Sequence, residues 1–267
     1  MNATVKHIFE RENILLLEAM PFSLCRVIQP HKLTRLSFTP TAAIVFLMPY
    51  YTELSGKRNL SRYAVARDYH LYVKGLSERV LLELSAAYPE ASFAMFSDNS
   101  PIDERHAASL CGLGVMGKNG LVLTEKYGPY VFVGEVLCDL PIEILELRDQ
   151  YEQRGCIDCG ACLSACPKKT VCLSALTQKK GSLTEAEENE IVLLGSVWGC
   201  DVCQEVCPYS RGLEETPIPF FKEALVPYLT LDILRGMGDS EFGSRAYAWR
   251  GRNTVERNLR LFDKKAE

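Results

Sequence analysis

An α+β fold in two parts, a layered domain followed by a small cysteine-rich one, is what this sequence predicts. Two observations predict it. Helical and strand patterns alternate along residues 1–145, the signature of a layered domain built from both kinds of element. Beyond them, eight of the eleven cysteines fall between Cys156 and Cys207, in two spaced sets with Cys172 between the sets. The expected division is a first domain at 1–145, a cysteine-rich domain at 146–215, and an extension at 216–267 that packs back on the core and ends basic.

Within the first part, residues 1–40 carry mixed signals cut into short pieces by Pro21, Pro30 and Pro40. Ala42 to Met48 is a continuous apolar run stopped by Pro49, the pattern of a central strand covered on both faces. Tyr50 to Arg58 reads as a polar loop with Gly56. From about Tyr63 to Ala87, Leu71, Leu76, Val80, Leu81 and Leu84 recur at helical spacing until Pro89 ends the run. Phe93 to Phe96 is a short strand that delivers Asp98 to a loop. A helix from about Ile102 to Leu110, a glycine-rich turn, and strands near Leu121–Thr124 and Tyr130–Leu137 follow. Ile142 to Arg154 reads as a charged helical linker. Thr184 and Glu187 fit a capping box that opens a helix between the cysteine sets. After Cys207 comes proline-broken coil and then a basic segment with Arg245, Arg250, Arg252, Arg257 and Arg260, interleaved with Tyr247 and Trp249.

The first cysteine set, Cys156, Cys159, Cys162 and Cys166 before Pro167, has the spacing of the bacterial ferredoxin run for a [4Fe–4S] cluster, in which the fourth cysteine ligates the other cluster. The second set, Cys200, Cys203 and Cys207 before Pro208, is one ligand short. If Cys207 crosses to complete Cys156, Cys159 and Cys162, then Cys166 crosses back to Cys200 and Cys203, and Cys172 is the thiolate left to close that second cluster. Two clusters are therefore expected in a ferredoxin-like domain. Zinc favours separate pairs of cysteines over a triple run ending in Cys-Pro. Disulfides suit a small secreted protein, and no charged-then-apolar leader with a small-residue cleavage site is seen. Cys25, Cys111 and Cys138, scattered among apolar neighbours, read as small buried hydrophobes.

Composition sets outer bounds. A hydrophobic content of 47% suits a globular core, and no apolar run approaches a membrane span, so no membrane partner is expected. The formal charge of −4 shows no overall basic bias toward nucleic acid. Thiolate-ligated clusters imply a reducing compartment, with the cytoplasm as the default.

Three constellations lie outside the cysteines. Gly112, Gly114 and Gly117 match G-x-G-x-x-G, but a helix precedes and a strand follows, the reverse of a dinucleotide fingerprint. A glycine turn beneath a flat cofactor is the better reading. Asp68-Tyr-His70 approaches D-x-H-x-x-G, a motif that offers a histidine to cobalt, but Val73 stands where glycine is needed. Asp98, ahead of Pro101, is by default a turn or capping acid.

The segments Ser61 to His70, Ser97 to Arg105, Gly112 to Asn119 and Tyr127 to Glu135 resemble successive motifs of the epoxyqueuosine reductases. The double cysteine region with Cys172, and Trp249-Arg-Gly-Arg252, are similar as well, so the resemblance runs in order over about 42–262. It is a resemblance to a short form without C-terminal helical repeats, and it implies kinship with reductive dehalogenases. It implies a nitroreductase-like, cobalamin-binding first domain with a base-off cofactor, two [4Fe–4S] clusters, and reduction of epoxyqueuosine to queuosine in tRNA. It places Asp98 as the proton donor and puts Ser61, Val122 and Val133 at corrin contacts. Lys118 and Arg105 would either position substrate or pair with nearby acids, and the terminal arginines would meet phosphates or form a solvated helix. Expected partners are tRNA and a ferredoxin or flavodoxin electron donor, with the chain itself a monomer. The competing readings are a related cobalamin reductase of a small molecule and a non-enzymatic two-cluster electron carrier.

Overall fold

Apolar runs set the first unit's framework in this computed structural model, which describes residues 1–167 and 171–263. Its strands are β1 (Leu16–Pro21), β2 (Ala42–Pro49), β3 (Phe93–Phe96), β4 (Val115–Met116), β5 (Val122–Leu123) and β6 (Val131–Cys138). Four of them form one antiparallel sheet in the order β1-β2-β6-β3, and β4 and β5 form a separate hairpin. Every residue of β2 is buried, as the unbroken run from Ala42 predicts for an interior strand.

Strand alternation sorts the two sheet faces. Ala43, Val45 and Leu47 of β2 cluster with Met20, Val133 and Leu137, and the small Ala107 and Ala108 bring the helix Glu104–Leu110 down onto that face. On the other face Phe46 meets Phe9 of the helix Ala3–Arg11, ring centroids 5.1 Å apart. Asn2 caps that helix, its side-chain oxygen accepting from the amides of Thr4 and Val5. The helix Tyr69–Ala87 buries Tyr72, Leu76, Val80 and Leu84, and Arg79 pairs with Glu12 at 2.7 Å.

Gly134 faces Phe46 across the β2–β6 register, and a Cβ there would lie 2.4 Å from the Phe46 ring. Gly134→Ala is therefore expected to destabilise the fold by about 1–3 kcal/mol through overpacking. A denaturant titration of the variant checks this, with an unshifted midpoint as the contrary result.

The chain divides into two compact units, each assembled from three stretches. One takes Met1–Tyr51, Tyr72–Cys159 and Tyr209–Ile218, the other Thr52–Leu71, Gly160–Pro208 and Pro219–Glu267. The second unit is helical. Its core is built on Trp198 and Tyr247 with Leu60, Val65, Val197, Leu229 and Val255. Buried Asn59 is a hub: its side chain donates to Leu229 O and accepts from Leu229 N, both at 2.8 Å, and its carbonyl accepts from Val197 N at 2.7 Å. The capping box forms as read, Thr184 and Glu187 opening the helix Glu185–Leu194.

Three local expectations are corrected. The long helix starts at Tyr69 rather than Tyr63, because residues 61–68 spend backbone groups elsewhere: Ser61 N–H donates to Trp198 O, Val65 O accepts from Val226, and Asp68 N–H donates to Ser244 O. Residues 142–154 are not a helix beyond the short turn Ile142–Leu145. Glu146 has φ +50°, and the segment is tied down by Tyr151 Oη donating to Ala19 O at 2.6 Å and Arg148 Nη1 donating to Cys111 O at 2.5 Å. The stretch after Cys207 is more ordered than coil, with helices Leu231–Gly236, Asp239–Gly243 and Arg252–Asp263.

Candidate functional sites

The cysteine region is shaped by tight turns. Asp158 at φ +56° and Gly160 at φ +72° reverse the chain between Cys156, Cys159 and Cys162. Cys156 is anchored by its amide to Met116 O at 3.1 Å, beside a bridge between Met116 and Gly155. Lys118, from the hairpin's turn, pairs with Asp158.

In the second unit the helices carrying Cys162 (Ala161–Ala165) and Cys203 (Val202–Glu205) pack together. The Cys203 thiol is raised to about 11, first by burial and then by the neighbouring charges of Cys200, Cys172, Cys166 and Cys162. Cys200 is raised too, by burial and then by Cys172, Asp201 and Cys166, against a lowering backbone hydrogen bond from Val202. Cys166 and Cys172 are thus electrostatic neighbours of both Cys200 and Cys203, and Cys162 is a neighbour of Cys203 as well. Thiolates that raise one another's proton affinity are unfavourable together unless iron neutralises them, so this donor set fits an iron–sulfur core. Among the described residues no three His, Cys, Asp or Glu side chains converge on a single ion. A cubane spreads its thiolates around a larger cage and does not need that convergence.

Asp201, between two of these cysteines, is nearly fully buried and compensated. It accepts from Ser61 Oγ, from Arg62 N at 2.8 Å and from Gln204 Nε2 at 3.1 Å, and it pairs with Arg58 at 2.8 Å. The Ser61 hydroxyl is therefore committed to Asp201. Gly199 is glycine for the same node, since a Cβ there would lie 2.4 Å from Ser61 Cβ.

The acid loop belongs to the first unit. Asp98 is exposed and sits at φ +65°, the centre of a three-residue turn closed by Asn99 N–H donating to Ser97 O at 2.8 Å. The Ser97 hydroxyl donates to Val133 O at 2.7 Å, and Val122 and Val133 share the apolar cluster beneath. Three of the expected site residues, Asp98, Val122 and Val133, therefore gather in one region of the first unit.

Two further acids there were missed. Glu135 on β6 has no exposed surface; Ser100 Oγ donates to one of its oxygens, and the other has no partner. Burial pushes its carboxyl well above the ordinary range, with Glu104 adding to the effect. Glu104, in the first turn of its helix, accepts from the Asp98 amide at 2.9 Å and is itself raised to about 7, first by burial. A charged residue inside the apolar run Val131 to Cys138 was the available signal, since a buried acid is the informative exception.

Other expectations resolve locally. A Cβ on Gly114 would meet Val122 at 2.7 Å and Leu123 O at 2.8 Å, and one on Gly117 would meet Asn119 at 2.4 Å. Those glycines let the β4–β5 hairpin close on itself. Arg105 donates to Gly120 O at 3.0 Å, and His70 contacts Asp68 at 2.8 Å. The terminal arginines are largely spent within their unit. Arg245 donates to Ala224 O, Arg252 to Leu234 O and Met237 O, Arg257 to Lys179 O and Gly181 O, and Arg260 pairs with Glu256. Arg250 lies 3.8 Å over the ring of exposed Trp249.

Residues 155–210 match the 4Fe-4S dicluster domain. The chain is similar to the epoxyqueuosine reductase of Lactococcus garvieae, 30% identical over 218 residues covering 75% of this chain and 60% of that protein. It is similar also to that of Staphylococcus aureus, 31% identical over 248 residues covering 84% and 63%. It thus spans about three fifths of the length of these curated relatives. Its fold matches the structure of epoxyqueuosine reductase from Streptococcus thermophilus with TM-score 0.73 at 23% identity, covering 96% of this chain and 79% of that one. It matches an epoxyqueuosine reductase solved with a tRNA-Tyr epoxyqueuosine-modified stem loop with TM-score 0.74 at 20% identity, covering 96% and 80%.

Proposed function

Because the chain is a homologue of the epoxyqueuosine reductases with the dicluster domain inside that likeness, we propose that it reduces the epoxide of epoxyqueuosine in tRNA to the alkene of queuosine. The observation that carries this is the joint presence of the eight-cysteine region and an acid presented on a left-handed turn above an apolar cluster. When bound, cobalamin would supply the low-potential nucleophile for the epoxide carbon, with two [4Fe–4S] clusters feeding it electrons one at a time.

The chain's own residues take the remaining roles. Cys156, Cys159, Cys162 and Cys207 would hold one cluster, and Cys166, Cys172, Cys200 and Cys203 the other. Asp98 would act as general acid, because the epoxide oxygen departs as water only once protonated. Val122 and Val133 would lie under the corrin, in a unit whose helices cover both faces of an antiparallel sheet, which supports the nitroreductase-like reading. Ser61, spent on Asp201, would steady the loop of the second cluster instead. The histidine paired with Asp68 has no role on cobalt in this scheme, consistent with a base-off cofactor. A ferredoxin or flavodoxin donor, a monomeric state and a cytoplasmic setting complete the proposal.

The test is anaerobic turnover of epoxyqueuosine-containing tRNA by the protein loaded with iron, sulfide and cobalamin, with a strong reductant. Queuosine in the digested tRNA is the expected product. Unchanged epoxyqueuosine with the cofactors bound would move the proposal to a small-molecule reductase, and failure to take up cobalamin would leave an electron carrier.

A further inference from the structure

The loop that presents Asp98 is held at both ends but strained in the middle. Ser97 is tied to the Val133 carbonyl, and Ser100 is tied twice, its hydroxyl donating to Glu135 and accepting from Ile102 N at 3.0 Å. Gln29 Nε2 donates to Ser100 O at 3.0 Å, and Lys32 reaches Asn99. Between these anchors Asp98 occupies a left-handed backbone conformation at φ +65°, which persists where its surroundings impose it. Its amide points away from the turn, to the carboxylate of Glu104.

Resting on the reading of Asp98 as the acid, we propose that Glu104 is a positioning residue that clamps the Asp98 backbone in its left-handed turn, with Glu135 and Ser100 forming the fixed floor of the clamp. Glu104 is suited to this. It comes from the first turn of a helix that Asp103 caps, and it reaches back to accept from the Asp98 amide. An ionised carboxylate accepting an amide makes a stronger bond than a neutral acid does. Because Glu104 is raised to about 7, the clamp tightens as pH rises through neutrality. The charged groups that set this are Asp98 on the turn, Asp103 and Arg105 on the same helix, and Glu135 on β6, with Lys32 facing Glu135.

The test compares Glu104→Ala and Glu104→Gln with the parent protein by amide hydrogen exchange of the 96–103 segment, corrected for intrinsic pH dependence, alongside iron content, melting temperature and turnover. Protection of that segment should fall at least about tenfold in the alanine variant while the β6 segment keeps its protection. The glutamine variant, which still offers an acceptor, should keep most of the protection and lose its dependence on pH near 7. Turnover should fall more than about tenfold in Glu104→Ala with KM for tRNA little changed, and recover in Glu104→Gln. Unaltered exchange in Glu104→Ala would overturn the clamp, as would equal loss across both segments with loss of iron, which marks a merely structural role. Should exchange behave as expected while the parent protein fails to reduce epoxyqueuosine, the clamp stands and the proposed substrate falls.

Discussion

Asp98→Asn is expected to leave folding, iron content and cobalamin uptake intact and to lower turnover of epoxyqueuosine-containing tRNA by about 10²–10⁴-fold, the usual contribution of a general acid. The substitution is nearly isosteric, and asparagine is among the few residues that tolerate positive φ, so the turn at φ +65° need not rearrange. The amide from residue 98 to Glu104 is a backbone bond and survives the change. What disappears is the exchangeable acid proton. Single-turnover rates with the loaded protein measure this directly, and a rate equal to the parent's would remove Asp98 from the chemistry.

Cys172→Ala is expected to halve the iron bound per chain and to abolish turnover, while Cys138→Ala, whose sulfur is buried on β6, should keep the full complement. Cys172 sits at the N-terminal boundary of the helix Leu173–Thr177, six residues past Cys166, and is exposed. On position alone it resembles an ordinary surface cysteine. Its charge nevertheless acts on Cys200 and Cys203 together with that of Cys166, so its loss should empty one site and spare the other. Iron and sulfide analysis with low-temperature paramagnetic resonance distinguishes the outcomes, and full iron content in Cys172→Ala would break the second ligand set.

The legible parts were those where one residue type must satisfy one local demand. The run from Ala42 could only be an interior strand, the cysteine spacing marked the dicluster domain matched at residues 155–210, and Thr184 with Glu187 declared a helix start before any tertiary contact. What stayed hidden depends on distant partners. Residues 63–68 looked helical until their backbone groups met Val226 and Ser244, and residues 142–154 looked helical until Tyr151 reached the sheet and Arg148 the end of the helix Glu104–Leu110. Glu135 and Glu104 were passed over because an acid's burial is decided by what packs over it. The basic end was open between phosphate contacts and a solvated helix, yet Arg245, Arg252 and Arg257 serve as donors to carbonyls of their own unit. A count of cations says nothing of how many are already engaged.

The buried hub at Asn59 carries a consequence for biosynthesis. Leu60, Ala64 and Val65 are made well over a hundred residues before their partners Val197, Trp198, Leu229 and Tyr247. Non-local closure of this kind is slow and leaves apolar surface waiting. The nascent chain therefore carries this core unfinished until residues 197–247 are made, a span over which chaperones would be needed.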